Sequence, residues 1–329
     1  MPDLAIIETS HITRLQQRIA DQIEPLLDDR PFALVDFPDH SNVGDSAIWL
    51  GETAFFTRNG LAPTYCSTLK SHVCDDLKAA IGDGTIFLHG GGNFGTIWKA
   101  HQDFRIDLLQ RFPGQRIVQL PQSIHFDSAD SVAETAKAIE RHGNFVLLVR
   151  DRPSLEFARQ HFQCEISLCP DMAFCIGSLT RQTPTVDLFY LLRTDLEKSV
   201  IGLPEHLLRS YRIDDWLDED RLAIRTTAAV SRLLSLASHP DKARLAKYDR
   251  LAKARLNRGI AMLSSGQVVV TDRLHGHIMS VLLGIPHVAL DNNYGKLTNF
   301  IDAWTADIEN MQKAGSLAQA AEKAEALLR

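Results

Sequence analysis

Short apolar runs that end at polar residues or glycines alternate with helical patterns along most of the chain. The apolar runs predict strands at residues 32–37, 85–88, 116–120 and 145–149. Helical patterns follow these strands, near residues 46–58, 103–112, 129–142 and 153–162. Because consecutive parallel strands need a crossover connection, usually a helix, this alternation indicates a parallel α/β sheet. An amphipathic helix at 12–27 precedes it.

A second unit of the same kind follows. Its strands are predicted at 186–192, 267–271 and 287–290. Its helices are predicted at 222–263, with a break at His239–Pro240, at 276–284 and in a tail at 305–329. The charged stretch 212–222 is expected to be an exposed loop or a short helix. We therefore expect an α/β fold with two Rossmann-like domains, 1–178 and 179–329, that face a cleft suited to a small molecule.

The composition suits this architecture and argues against several function classes. At about 150 residues per domain, the 329 residues suffice for two domains. A formal net charge of −6 argues against a nucleic-acid-binding protein. No apolar run reaches the roughly 18 residues of a membrane span, and no signal peptide is recognised. The five cysteines contain no C-x-x-C pair, so we expect reduced, buried thiols and a cytoplasmic location.

The stretch 267–277 carries the densest set of candidate site residues. A β-branched run ends at Asp272, and Arg273 and His275 lie just before a predicted helix. Ligands bind at the carboxyl ends of strands in open α/β sheets, and helix N-termini favour anions. Arg273 offers a fork for phosphate or carboxylate, and His275 can move a proton near neutral pH. The alternative is a buried Arg–Asp pair with a hydrogen-bonded core histidine.

Two further motifs follow strands of the first unit. Asp45, in Asn42-Val43-Gly44-Asp45, is either a helix cap or a base or hydroxyl anchor in the cleft. The run Gly90-Gly91-Gly92, before Asn93, is either a tight turn or a loop whose exposed amides hold an anion. It matches neither a P-loop nor a dinucleotide fingerprint.

Other polar residues also follow strands. Gln122 and Ser123 either reach the cleft or belong to a polar loop that caps a helix. Arg150 either binds an anion or forms a salt bridge with Asp151 or Asp171. Lys296 either touches a ligand or is a solvated loop lysine. No spacing of histidine, cysteine and carboxylate residues indicates a metal site.

The order of the motifs resembles that in the polysaccharide pyruvyl transferases. In chain order these motifs are NVGD, HGGGNFG, LPQS, RDRPS, CPD, DRLHG and DNNYGK. The resemblance covers roughly residues 32–300 and departs at Arg150-Asp151, where a glutamate is expected after the arginine. It implies a GT-B-like fold, with the acceptor side in the first domain and the phosphoenolpyruvate side in the second.

The resemblance also implies a reaction. A pyruvyl group would move from phosphoenolpyruvate to a sugar of an exopolysaccharide or cell-surface polysaccharide precursor, closing a ketal and releasing phosphate. His275 would be an acid or base and Asp45 the base for the acceptor hydroxyl. The implied substrate contacts are Arg273, Arg150, Leu274, Gly90, Gly91, Gly92, Asn93, Asn42, Gln122, Ser123 and Lys296.

The expected partners follow from that reaction. They are phosphoenolpyruvate and an oligosaccharide acceptor, with no metal, no further cofactor and no nucleic acid. Whether the acceptor is lipid-linked is open, and so is the oligomeric state; a lipid-linked acceptor would place the protein at the inner membrane face, beside other polysaccharide-assembly enzymes. Two rival hypotheses are a GT-B-type glycosyltransferase that uses a nucleotide sugar and a non-catalytic scaffold in polysaccharide assembly.

Overall fold

The computed structural model describes residues 4–194, 210–234, 239–291 and 295–329, and its strands form two parallel sheets. The first sheet contains β1 (Ala33–Val35), β2 (Tyr65–Ser67), β3 (Ile86–Leu88), β4 (Gly91–Gly95), β5 (Ile117–His125), β6 (Phe145–Val149) and β7 (Glu165–Leu168). Its order is β2-β1-β3-β5-β6-β7, and β4 pairs with β5 beyond the end of β3. The α/β class with two parallel sheets is therefore confirmed.

The second sheet is smaller and also parallel. It contains β8 (Val186–Leu191), β9 (Tyr211–Asp214), β10 (Gly266–Thr271), β11 (His287–Leu290) and β12 (Met311–Ala314). The strand order is β12-β11-β10-β8-β9. The first sheet ends at Leu168 and the second begins at Val186, on either side of the predicted domain boundary at 178. That boundary and the GT-B-like arrangement stay predictions.

Helices flank both sheets. They are α1 (Leu4–Ile23), α2 (Val43–Arg58), α3 (Cys74–Ile81), α4 (Lys99–Arg111), α5 (Ala129–His142), α6 (Arg152–His161), α7 (Arg221–Leu234), α8 (Pro240–Ser264), α9 (Leu274–Leu282), α10 (Lys296–Trp304) and α11 (Leu317–Leu327). Two short 3-10 helices span Glu24–Leu26 and Met172–Ile176. None of the helices in the described ranges is long and apolar enough to cross a membrane.

Two segments that contribute to the second sheet differ from the sequence prediction. The stretch 212–222 begins inside the edge strand β9, and the tail 305–329 contains β12 before its helix. Both are edge strands, β9 mostly exposed and β12 mostly half-buried, and neither has the apolar alternation that marks a strand with one buried face. The predicted helix 222–263 and the DNNYGK motif run through residues 235–238 and 292–294, which lie outside the described residues.

Helix α2 joins the two halves of the molecule. It is buried on nearly every side and packs against α8 and the 3-10 helix Met172–Ile176. Trp49 donates from Nε1 to Oδ1 of Asp249 on α8 at 2.9 Å. Phe37, beyond β1, stacks on Tyr248 of α8 with 4.2 Å between the ring centroids. One continuous apolar core therefore connects the sheets and sets the width of the cleft between them.

Candidate active site

The cleft between the two sheets contains a cavity of about 390 Å³. Residues from both halves of the chain line it, because β3, β6 and β10 all end at the cleft. The predicted site residues on its wall are Asn42, Asp45, Gly92, Asn93, Arg150, Arg273, Leu274, His275 and Lys296. Most of the residues that the sequence predicted for the site therefore lie at one cavity.

Asp45 lies in the first turn of α2 without capping it. Asn42 is the N-cap residue and accepts a hydrogen bond from the Gly44 amide at 3.1 Å. Its Nδ2 donates to Oδ2 of Asp45 at 2.8 Å, and Nε2 of His40 lies 3.6 Å from that oxygen. Burial raises the pKa of Asp45, but the charges of His40 and His275 outweigh burial and lower it. Asp45 is therefore held as an anion at the cleft.

His275 approaches the same helix from the other side of the cleft. It lies in the first turn of α9, and a Cβ built on Gly44 would be 2.4 Å from its Nδ1. Glycine at position 44 therefore leaves the space that the imidazole occupies. The other ring nitrogen, Nε2, lies 3.4 Å from Oδ2 of Asp171, without hydrogen-bond geometry. This places an imidazole between two helix N-termini, beside a carboxylate.

The sequence allowed a salt bridge of Arg150 with Asp151 or with Asp171, and the structure shows the one with Asp171. Its Nη1 donates to Oδ2 of Asp171 at 2.7 Å, and its Nε donates to Oγ of Ser123 at 3.0 Å. Burial raises the pKa of Asp171, but the neighbouring His275 and Arg150 hold it well below its usual range. A Cβ built on Gly92 would lie 3.0 Å from Nη2 of Arg150, so the guanidinium edge lies against the glycine run. Arg150 therefore joins the cavity wall as a fixed, paired cation.

Arg273 forms a buried pair with an aspartate, which was the alternative prediction. The partner is Asp215 and not the adjacent Asp272. Its Nε and Nη2 donate to the two carboxylate oxygens of Asp215, each at 2.7 Å. Oδ2 of Asp215 also accepts from the backbone and hydroxyl of Thr194. The adjacent Asp272 instead accepts from the Arg193 amide at 2.9 Å. Arg273 lines the cavity with its charge partly compensated.

The glycine run is a strand rather than an open turn. Gly91 and the residues after it form β4, which pairs with β5. The Gly90 amide donates to Oε1 of Glu52 at 2.8 Å, and the Asn93 amide donates to Oε1 of Gln122 at 2.9 Å. Of the three glycine amides that were candidate anion donors, the one of Gly90 is therefore already engaged. Gly92 remains at the cavity wall.

Gln122 and Ser123 lie inside β5, which continues past the predicted end at residue 120. Both are buried, and neither lines the cavity. Gln122 ties β4 to β5, donating from Nε2 to Oδ1 of Asn93 at 2.9 Å. Ser123 donates from Oγ to Asp151 at 2.6 Å while it accepts from Arg150. Their observed contacts hold cavity residues in position.

Sequence reasoning missed three histidines of the cleft wall, His40, His89 and His101. His89 follows β3 directly, so its position after a strand was a usable signal. Its Nδ1 lies 2.8 Å from Oε2 of Glu52, which is buried in the middle of α2. No local pattern marks a glutamate of that kind. In the described part of the chain, no three histidine, cysteine or acidic side chains are grouped to hold a metal ion.

The fold and the cleft together define an α/β protein with a cavity for a small molecule between two parallel sheets. Imidazoles and the carboxylate of Asp45 provide proton-transfer groups, and two fixed guanidiniums provide positive charge. The family model for "Polysaccharide pyruvyl transferase" matches residues 42–294. The chain belongs to the polysaccharide pyruvyl transferase family.

Individual relatives agree with that assignment. "Pyruvyl transferase 1" of Schizosaccharomyces pombe is 32% identical over 293 residues, which cover 83% of this chain and 69% of that protein. "Putative pyruvyl transferase EpsO" of Bacillus subtilis is 30% identical over 300 residues, covering 88% of this chain and 90% of that protein. A functionally uncharacterised Klebsiella pneumoniae protein of known crystal structure shares the fold, with a TM-score of 0.56 at 17% identity. That superposition covers 96% of this chain and 100% of the other.

Proposed function

We propose that the protein transfers a pyruvyl group from phosphoenolpyruvate to two hydroxyls of a sugar, forming a ketal and releasing phosphate. The acceptor is a precursor of an exopolysaccharide or cell-surface polysaccharide. Membership of the family supports the transferred group. The observation that carries the proposal is the meeting of Asp45, His275 and Arg150, from separate parts of the chain, at one cavity.

The reaction makes definite demands on proton transfer. The methylene carbon of phosphoenolpyruvate gains a proton and becomes a methyl group, while a sugar oxygen bonds to the neighbouring carbon. The bond from that carbon to the phosphate oxygen then breaks, and the second sugar oxygen takes its place. The two hydroxyls lose one proton each. One proton is gained by the methyl group and one by the departing hydrogen phosphate, so the protons balance. A site for this chemistry needs both acids and bases.

The cleft residues suit these demands in the following roles. Arg150 and Arg273 hold the phosphate and carboxylate of the donor, since guanidinium groups bind both anions. His275 gives a proton to the departing phosphate, and Asp45, held as an anion, accepts the proton of the first sugar hydroxyl. The helix N-termini of α2 and α9 add positive potential at the same place. Asn42 and Lys296 are further contacts for the substrates.

Phosphate release from phosphoenolpyruvate tests this proposal. Purified protein is assayed with a panel of lipid-linked and synthetic oligosaccharides, beside Asp45→Asn and the matched control Asp103→Asn on the exposed face of α4. We expect acceptor-dependent release that falls about 100-fold in Asp45→Asn and is unchanged in the control.

Absence of release with every acceptor would contradict the proposal. Thermal stabilisation by a nucleotide sugar, but not by phosphoenolpyruvate, would then favour the glycosyltransferase hypothesis. Unchanged pyruvate content of the cellular polysaccharide after Arg273→Ala replacement would instead favour the scaffold.

A further inference from the structure

His89 and Glu52 form a buried pair at the cleft wall that the roles above do not use. Nδ1 of His89 lies 2.8 Å from Oε2 of Glu52, and Oε1 of Glu52 accepts the Gly90 amide at 2.8 Å. Glu52 is 0% exposed and His89 is 3% exposed. Because both carboxylate oxygens are engaged, Glu52 is fixed, and it fixes the orientation of the imidazole in turn.

The other nitrogen of the ring, Nε2, has no hydrogen-bond partner among the described residues. Buried polar atoms in folded proteins are almost always paired, so an unpaired one calls for an explanation. His89 lines the cavity, and its Nδ1 edge is turned to Glu52 inside the protein. Nε2 lies on the opposite edge of the ring and is buried at the cavity wall.

The proposed reaction still lacks one proton donor. Asp45 is an anion and accepts from a hydroxyl, and His275 serves the phosphate. The methylene carbon needs an acid of its own. His89 follows β3 in the first sheet, whereas His275 and Arg273 follow β10 in the second. The two histidines thus approach the cavity from different sheets.

We propose that His89, oriented by Glu52, is the catalytic acid that transfers a proton from Nε2 to the methylene carbon of phosphoenolpyruvate. This inference rests on the proposed function. The imidazolium gives its proton to the carbon as the electron pair of the double bond forms the new C–H bond. The neutral imidazole then takes the proton of the second sugar hydroxyl during ring closure, and the acid is restored.

The charges around His89 favour the protonated ring that this role needs. Burial lowers the pKa of His89, but the carboxylate of Glu52 outweighs burial and raises it, with smaller contributions from Asp45 and Asp36. Two further histidines lie near these groups: burial lowers the pKa of His40, which the charge of His89 lowers further, and Nδ1 of His101 lies 2.7 Å from Oδ2 of Asp36. The balance keeps an acid available near neutral pH.

Two variants and one control test the inference. In His89→Asn the side-chain amide can still donate to Glu52, but no titratable nitrogen remains. In Glu52→Gln the ring keeps a hydrogen-bonding neighbour of the same shape and loses the negative charge. The control is His142→Asn, which removes another buried histidine, on α5 and outside the cleft. The measurements are kcat and KM for phosphoenolpyruvate, deuterium in the product methyl group after turnover in D2O, the pH profile of kcat, and the melting temperature.

We expect one solvent deuteron in the methyl group from the wild-type protein. His89→Asn should lower kcat about 100-fold with little change in KM or melting temperature, and His142→Asn should keep the wild-type kcat. Glu52→Gln should move the basic limb of the kcat profile to lower pH by about one unit, because the imidazolium loses its carboxylate.

Three outcomes would overturn the inference. If the wild-type protein is active and kcat of His89→Asn is within about threefold of the wild-type value, the acid role is refuted and the proposed function remains. If His89→Asn does not fold, an unmoved pH profile in a folded Glu52→Gln variant would refute it equally. No phosphate release by the wild-type protein with any acceptor would refute the proposed function, and this inference with it.

Discussion

Gly44 and His275 are in contact across the cleft, with 2.4 Å between Nδ1 of the ring and the position that a Cβ of residue 44 would take. The first belongs to the opening turn of α2 and the second to the opening turn of α9. The contact holds the ring with Nε2 turned to Asp171. The position of an imidazole on one side of the cleft is thus set by the absence of a side chain on the other.

The replacement Gly44→Ala should displace His275. The added methyl group cannot share the space of the ring, so we expect kcat to fall about 100-fold, as when a reacting group shifts by about 1 Å. Overpacking should also lower the free energy of unfolding by about 1–3 kcal/mol. Steady-state kinetics and urea denaturation measure the two effects. Gly315→Ala is the control, since its Cβ would meet only Oε1 of Gln319 at 3.8 Å; equal kinetics of the two variants would contradict the prediction.

The replacement Asp171→Asn should destabilise the protein at neutral pH by about 3 kcal/mol, because it leaves Arg150 buried without its carboxylate. The pKa of Asp171 is lowered from its ordinary value of 3.8 in the folded state. Its contribution is therefore complete above that value and is lost as the pH falls through the lower, folded pKa. Urea denaturation at neutral pH and at about pH 3 should show the difference between wild type and variant shrinking at the lower pH. A difference that does not change with pH would contradict this account.

The replacement Asp215→Asn should weaken donor binding. Asp215 holds Arg273 through two hydrogen bonds of 2.7 Å, so the guanidinium loses its orientation when the charge is removed. We expect a KM for phosphoenolpyruvate raised about tenfold and a free energy of unfolding lower by about 3 kcal/mol. Asp103→Asn is the control, because that side chain is 59% exposed and pairs with the surface residue Lys99. The hypothesis fails if both variants bind the donor as the wild type does.

Asp272 should make the protein less stable as the pH rises. Burial raises its pKa from 3.8 to about 6, against the opposing hydrogen bond from the Arg193 amide. The folded state therefore binds more protons than the unfolded chain between these two values, and the free energy of unfolding falls as the pH rises through that window. The expected slope is at most about 1.4 kcal/mol per pH unit. Asp272→Asn should flatten it in urea denaturation at several pH values, while the exposed Asp103→Asn should not; an unchanged slope would rule out Asp272 as the source.

The sequence predicted about half of the residues that line the cleft but few of their partners. Arg150, Arg273 and His275 follow strands, and parallel strands bring their carboxyl ends to one edge. Asp215 and Glu52 have no such signal, because they lie 58 and 37 positions from the side chains that they hold. The conformation of the glycine run was predicted wrongly for another reason. Its composition indicates a turn, and only pairing with β5 makes it a strand.

Pairing of both arginines with aspartates has a consequence for the end of a catalytic cycle. Asp171 and Asp215 keep a carboxylate beside each guanidinium throughout. In the proposed reaction, the departing phosphate therefore meets cations whose charge is already partly compensated, and it is held less tightly than it would be by free arginines. The pairs that fix the two arginines would then also favour release of the phosphate.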